Sequence, residues 1–129
     1  MPWVEVFAAF VVCHLAGDYL LQTNWQAANK FGGLGPDATA RHALMAHIAS
    51  YALVFVPVLV WMADDLAASV LWLAAVALPH LVQDDGRLLD LYLRRIKRCE
   101  PNDLPAVRAA VDQAFHIVAL FALAVVAGA

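Results

Sequence analysis

Apolar residues fill four long stretches of this chain, at about 3–22, 42–63, 66–85 and 105–127, separated by polar segments at 23–41 and 86–104. Each stretch is close to the roughly 20 apolar residues that carry a helix across a bilayer. The pattern predicts an all-α fold, an integral membrane four-helix bundle forming one transmembrane domain over residues 1–129. The first stretch has no basic leading segment and no convincing cleavage site, so it reads as a span and not as a signal peptide. Asp64 and Asp65 form a very short connection between the second and third stretches, which predicts an antiparallel hairpin. Residues 31–37, with three glycines and Pro36, read as a turn region. Asn102 or Asp103 is expected to cap the fourth helix, with Pro105 in its first turn.

Composition sharpens this picture. Hydrophobic residues make up 64% of the 129 and charged residues 15%, against roughly 45–50% and about 25% in a soluble domain. A soluble domain of this size cannot hide so much apolar material. Two cysteines, Cys13 and Cys99, do not make a disulfide scaffold. Trp3, Trp25 and Trp61 fall near predicted helix ends, as an interfacial belt requires, while Trp72 lies deeper.

The eight basic residues are Lys30, Arg41, Arg87, Arg94, Arg95, Lys97, Arg98 and Arg108, all at one side of the predicted bundle. The other side carries Glu5, Asp64 and Asp65. The positive-inside rule then places both termini outside and both long loops in the cytoplasm of a multi-pass protein of the inner membrane. Residues 88–98 (LLDLYLRRIKR) fit an interfacial helix on an anionic leaflet, or equally a solvated basic loop that sets topology.

The chemistry lies in the polar residues within the spans. An ionisable side chain in a bilayer costs a few kcal/mol, so such groups face the interior and carry function. His14 and Asp18, His80 and Asp84, and Asp112 and His116 form three pairs at i, i+4, each pair on one helix face. His47 adds a fourth helix, and His42 sits at its boundary. His14 precedes Gln22 by eight residues, about 12 Å of helix axis, and His116 follows Arg108 by the same number. Four helices therefore deliver His and Asp to one layer inside the cytoplasmic boundary.

Imidazole with carboxylate suits a divalent ion, Zn first, with Mn or Fe as alternatives. The expected ligands are His14, Asp18, His47, His80, Asp84, Asp112 and His116. Asp84, Asp112 and His47 are the expected catalytic groups, and Gln22 and Gln113 are expected to orient the ligands. Whether Asp85 or His42 joins the site is open.

The motifs HLAGDYLLQTNW (14–25) with Asn29 and Lys30, LMAHIASY (44–51), HLVQD (80–84) and DQAFH (112–116) occur in that order along nearly the whole chain. In this the chain resembles a bacterial and phage family of small membrane proteins known as domain of unknown function 3307. It departs at Gln83, Asp84 and Asp85, where that family more often has an apolar residue, Asp and an aromatic. The family implies no activity. The His/Asp pattern is more distantly similar to that of membrane-bound proteins assigned as metal-dependent hydrolases, which implies hydrolysis by analogy alone.

The first reading is thus a metal-dependent hydrolase acting on a lipid-like or phosphoryl substrate reached from the inner leaflet. Other classes are a metal or proton transporter or binding protein, a polar cluster that only fixes packing, and haem between facing histidines. Expected partners are the bilayer and the anionic lipids of its inner leaflet, with homo-oligomerisation left open and no nucleic acid.

Overall fold

Helix α1 covers Trp3–Leu15 and runs on directly into a π-helical segment, Ala16–Leu21. The computed structural model describes residues 1–129 and continues with α2 (Asn24–Asn29), α3 (Ala38–Met62), α4 (Leu66–Asp85), α5 (Arg87–Tyr92, extended by a π-helical turn at Leu93–Lys97) and α6 (Pro105–Ala127). Four helices, Trp3–Leu21, Ala38–Met62, Leu66–Asp85 and Pro105–Ala127, are long and apolar enough to cross a membrane. They close a ring in which α1 packs on α3, α3 on α4, α4 on α6 and α6 on α1. Neighbours alternate up and down, so both termini share one end with the 63–65 turn. The other end holds α2, α5 and every Lys and Arg.

The interior is layered. Toward the termini, Val6, Phe10, Phe55, Leu59, Val76, Leu120 and Ala124 make an apolar core. Toward the loops it turns polar, and eight of the 26 buried residues are polar or charged. The outside is the reverse, with Leu20 79% and Leu71 71% exposed. A bundle with polar groups inside and leucines outside has the polarity a lipid solvent selects.

Local signals explain most helix ends. Thr23 and Gln26 form a reciprocal capping box on α2. Asp37 accepts from Ala40 N (2.8 Å), which starts α3 at Ala38, four residues before the expected span. Asp65 caps α4 in the same way, accepting from Ala68 N at 2.7 Å. The expected Asn102 or Asp103 cap on α6 is corrected: Leu104 occupies that position without a side-chain bond, and Asp103 accepts from Glu100 N instead. Pro105 in the first turn has no N–H to satisfy, so α6 begins without such a cap at little cost. Residues 88–97 are helical and not an extended loop, with Leu89 and Leu93 buried and Leu88, Leu91 and Ile96 exposed.

One corner positions everything below. Asp85 accepts from Leu34 N (2.8 Å) and Arg87 Nε (2.7 Å), and its carbonyl accepts from Gly32 N (2.8 Å). The bond to Asp85 raises the pKa of the Arg87 guanidinium further. Gly86, at φ 81°, turns the chain from α4 into α5, and any Cβ there would lie 2.8 Å from the Phe31 ring. This clasp holds the 30–35 segment against α4 and brings Lys30 over the polar layer.

Candidate metal centre

Each of the four long helices contributes to the polar layer: Asp18 from the π-helical end of α1, His47 from α3, His80 and Asp84 from α4, and His116 from α6. All five are buried. Asp84 is the hub. Its Oδ2 lies 2.7 Å from His47 Nε2, 3.3 Å from His80 Nε2 and 2.7 Å from Lys30 Nζ, while its Oδ1 lies 3.1 Å from His116 Nε2. Asp18 Oδ1 is 3.2 Å from both His47 Nε2 and His80 Nε2. Those two nitrogens are themselves 3.1 Å apart. Donor atoms of Asp18, His80, Asp84 and His116 all fall within 4.8 Å of one another.

Two features show that these atoms suit a cation. His116 Nδ1 lies 2.7 Å from the Asp112 carbonyl and donates its N–H there. In the neutral ring this leaves the Nε2 lone pair aimed at the Asp84 carboxylate, a repulsive contact unless a proton or metal ion joins them. Asp18 Oδ1 is buried and meets only the His47 and His80 Nε2 atoms, at 3.2 Å and outside hydrogen-bonding geometry, where buried carboxylate oxygens are ordinarily paired. Ligands about 2.0–2.1 Å from a tetrahedral Zn stand about 3.3–3.4 Å apart, near the 3.1–3.3 Å spacings of most of these contacts. The Asp112 carbonyl gives His116 the outer hydrogen bond typical of a ligating histidine. The buried Asp/His group is thus able to hold a metal ion.

The other anticipated residues surround this group. His14 Nε2 donates to Gln113 Oε1 (2.8 Å), leaving Nδ1 to accept from the Tyr51 hydroxyl (3.1 Å). Its Nδ1 is 3.7 Å from Asp18 Oδ2. Asp112 accepts from Gln113 Nε2 (3.3 Å) and is 3.8 Å from His116 Nδ1, with its side chain 25% exposed. Gln22 Oε1 accepts from Lys30 Nζ (2.6 Å). His42 is exposed and meets the Trp25 ring edge-on, apart from the cluster. Asp85 serves the clasp. The histidine rings lie 4.6–6.1 Å apart, centroid to centroid, with the Asp18 and Asp84 carboxylates against the Nε2 atoms of His47, His80 and His116.

Two residues of the site were not anticipated. Tyr51 lies one turn beyond His47, a spacing that places it on the same face, and that periodicity was the available signal. Lys30 reaches Asp84 across 54 residues from a loop. Its charge was legible only as a topology signal.

No curated protein and no solved structure matches the chain. The family described as "Protein of unknown function (DUF3307)" matches residues 6–128. The chain therefore belongs to the DUF3307 family over nearly its whole length.

Proposed function

We propose that this is an integral protein of the inner membrane in which Asp18, His47, His80, Asp84 and His116 hold a divalent metal near the cytoplasmic face. We propose further that the centre hydrolyses a lipid-like phosphoryl substrate. The observation that carries the metal reading is the pairing of His116 Nε2 with the Asp84 carboxylate while Nδ1 is committed to the Asp112 carbonyl. The positive-inside rule supports the orientation, since all Lys and Arg cluster at the end nearer the site. The apolar layer of Phe10, Phe55, Leu59 and Val76 argues against a polar path to the outside through one chain.

A divalent ion polarises a phosphoryl oxygen and makes water a better nucleophile. Asp112 is the cluster's most open carboxylate. In this reading it takes the proton of an attacking water and returns it to the leaving oxygen. Lys30, already on Asp84, offsets its charge and faces the hollow where an anion would sit. Tyr51 and Gln113 hold the His14 ring fixed beside Asp18.

The test is phosphate release from a long-chain alkyl phosphate by purified protein supplied with Zn or Mn. Asp112→Asn is expected to retain metal and lose about 100-fold or more in rate, the usual worth of a general base. A metal-loaded wild type without activity contradicts the hydrolytic reading.

A further inference from the structure

Two hollows meet on the flank of the centre. One, of about 100 Å³, is walled by Lys30, Arg108, Asp84 and Asp112. The other, of about 170 Å³, lies between α4, α5 and α6 on Leu88, Leu89 and Phe115. Gln83 and Asp112 border both, so the two adjoin side by side as a two-part cleft. Gln83 stands at the join, its Nε2 donating to the Phe115 carbonyl (3.2 Å) and tying α4 to α6. Polarity changes sharply across it, from two cationic side chains to an apolar floor.

The cationic side has donors to spare. An ammonium has three N–H groups, and Lys30 commits two, to Asp84 and Gln22. A guanidinium has five, and Arg108 commits two, both to Asp90 Oδ1 at 2.9 and 3.2 Å. With Asp84 and Asp112 in the same wall the hollow is close to neutral, and a divalent ion on Asp84 would make it cationic.

We infer that this cleft binds one amphiphile, with a phosphate-type head in the Lys30–Arg108 hollow and a single hydrocarbon chain on Leu88, Leu89 and Phe115. The inference rests on the metal reading for the charge of the hollow, and it names the substrate class for that centre. The chain approaches sideways between α4 and α6, from the lipid, and the head stops beside Asp84 and Asp112. A free phosphate would use the polar hollow and ignore the apolar one.

The full chain in neutral detergent, with Mn²⁺, is mixed with lysophosphatidic acid or monoacylglycerol, and bound lipid is read by native mass spectrometry. Metal content is measured on the same samples. Lysophosphatidic acid is expected to be retained about tenfold or more over monoacylglycerol, the worth of one charge-assisted hydrogen bond. Arg108→Gln removes that preference, and Phe115→Ser weakens retention of both lipids, with metal content unchanged in each variant. Equal retention of the two lipids by metal-loaded protein overturns the cleft while leaving the centre standing. So does displacement by an equal concentration of inorganic phosphate, which assigns the hollow to a free anion. Selective retention without bound metal keeps the cleft and overturns the metal reading; loss of both metal and selectivity overturns both.

Discussion

The phenol ring of Tyr51 lies flat on the imidazole of His80, with centroids 3.5 Å apart and planes within 6°. The same side chain bonds His14 through its hydroxyl. It therefore fixes two histidines of different helices from a third. Gly17 makes room for it: a Cβ there would stand 2.6 Å from Tyr51 Cδ2. The π-helical turn that carries Gly17 also carries Asp18, and π-bulges of this kind occur often at functional sites.

Tyr51→Phe keeps the stack and removes only the hydroxyl. It is expected to cost about 1 kcal/mol, one buried hydrogen bond, and to retain metal. Tyr51→Ala is expected to cost about 3–5 kcal/mol and to lower bound metal, because His80 loses its support. Thermal unfolding in detergent with elemental analysis reads both. Equal metal content in the two variants would refute the supporting role.

Gly17→Ala pushes the Tyr51 ring off His80. A loss of about 1–3 kcal/mol, as for overpacking, is expected together with weaker metal retention. Gly32→Ala, at φ 73° with open space around it, is expected to cost about 1 kcal/mol of backbone strain and leave metal untouched. If Gly17→Ala unfolds at the wild-type temperature, the close approach has no energetic weight.

Much of this architecture was legible because hydropathy alone marks helices long and apolar enough to cross a membrane. The ends nearest Ala63 and Pro105 lie where turn and proline chemistry put them. The start of α3 was missed because Asp37, not the first apolar residue, sets it. The α2 capping box, Thr23 with Gln26, was present in the sequence but lies inside a polar loop that hydropathy passes over. The one-turn His/Asp pairs, with His47, brought the right four helices together. They could not say which partner of a pair turns inward: on α6 His116 is buried while the Asp112 side chain stays 25% exposed. The place of Lys30 on Asp84 was not legible for a different reason: it depends on the Asp85 clasp, a contact between loop and helix end with no local signature.

Orientation has a direct readout. A reporter fused after Ala129 is expected outside, and insertions near Gly33 or Asn102 inside. A cytoplasmic C-terminus would reverse the placement of the site relative to the membrane.

Metal removal should destabilise the folded protein by mass action. At a free metal concentration about 100 times the dissociation constant the stabilisation is about 2.7 kcal/mol. Chelator is expected to lower the unfolding temperature of wild type and to have no effect on Asp84→Ala. A chelator effect of the same size in both proteins would place the metal elsewhere.

The most direct test is metal per protein, by elemental analysis of full-length chain purified in mild detergent and supplied with Zn, Mn or Fe. Wild type is expected to retain stoichiometric metal. Asp18→Ala, His47→Ala, His80→Ala, Asp84→Ala and His116→Ala are each expected to lose it, with His14→Ala lowering it and Asp112→Ala, like Asp112→Asn, retaining it. Asp64→Ala and Asp90→Ala should match wild type, as should Asp65→Ala, which removes the α4 cap and so controls for destabilisation alone. Wild-type protein that retains no stoichiometric metal would contradict the account, leaving the cluster as a proton-sharing or packing network.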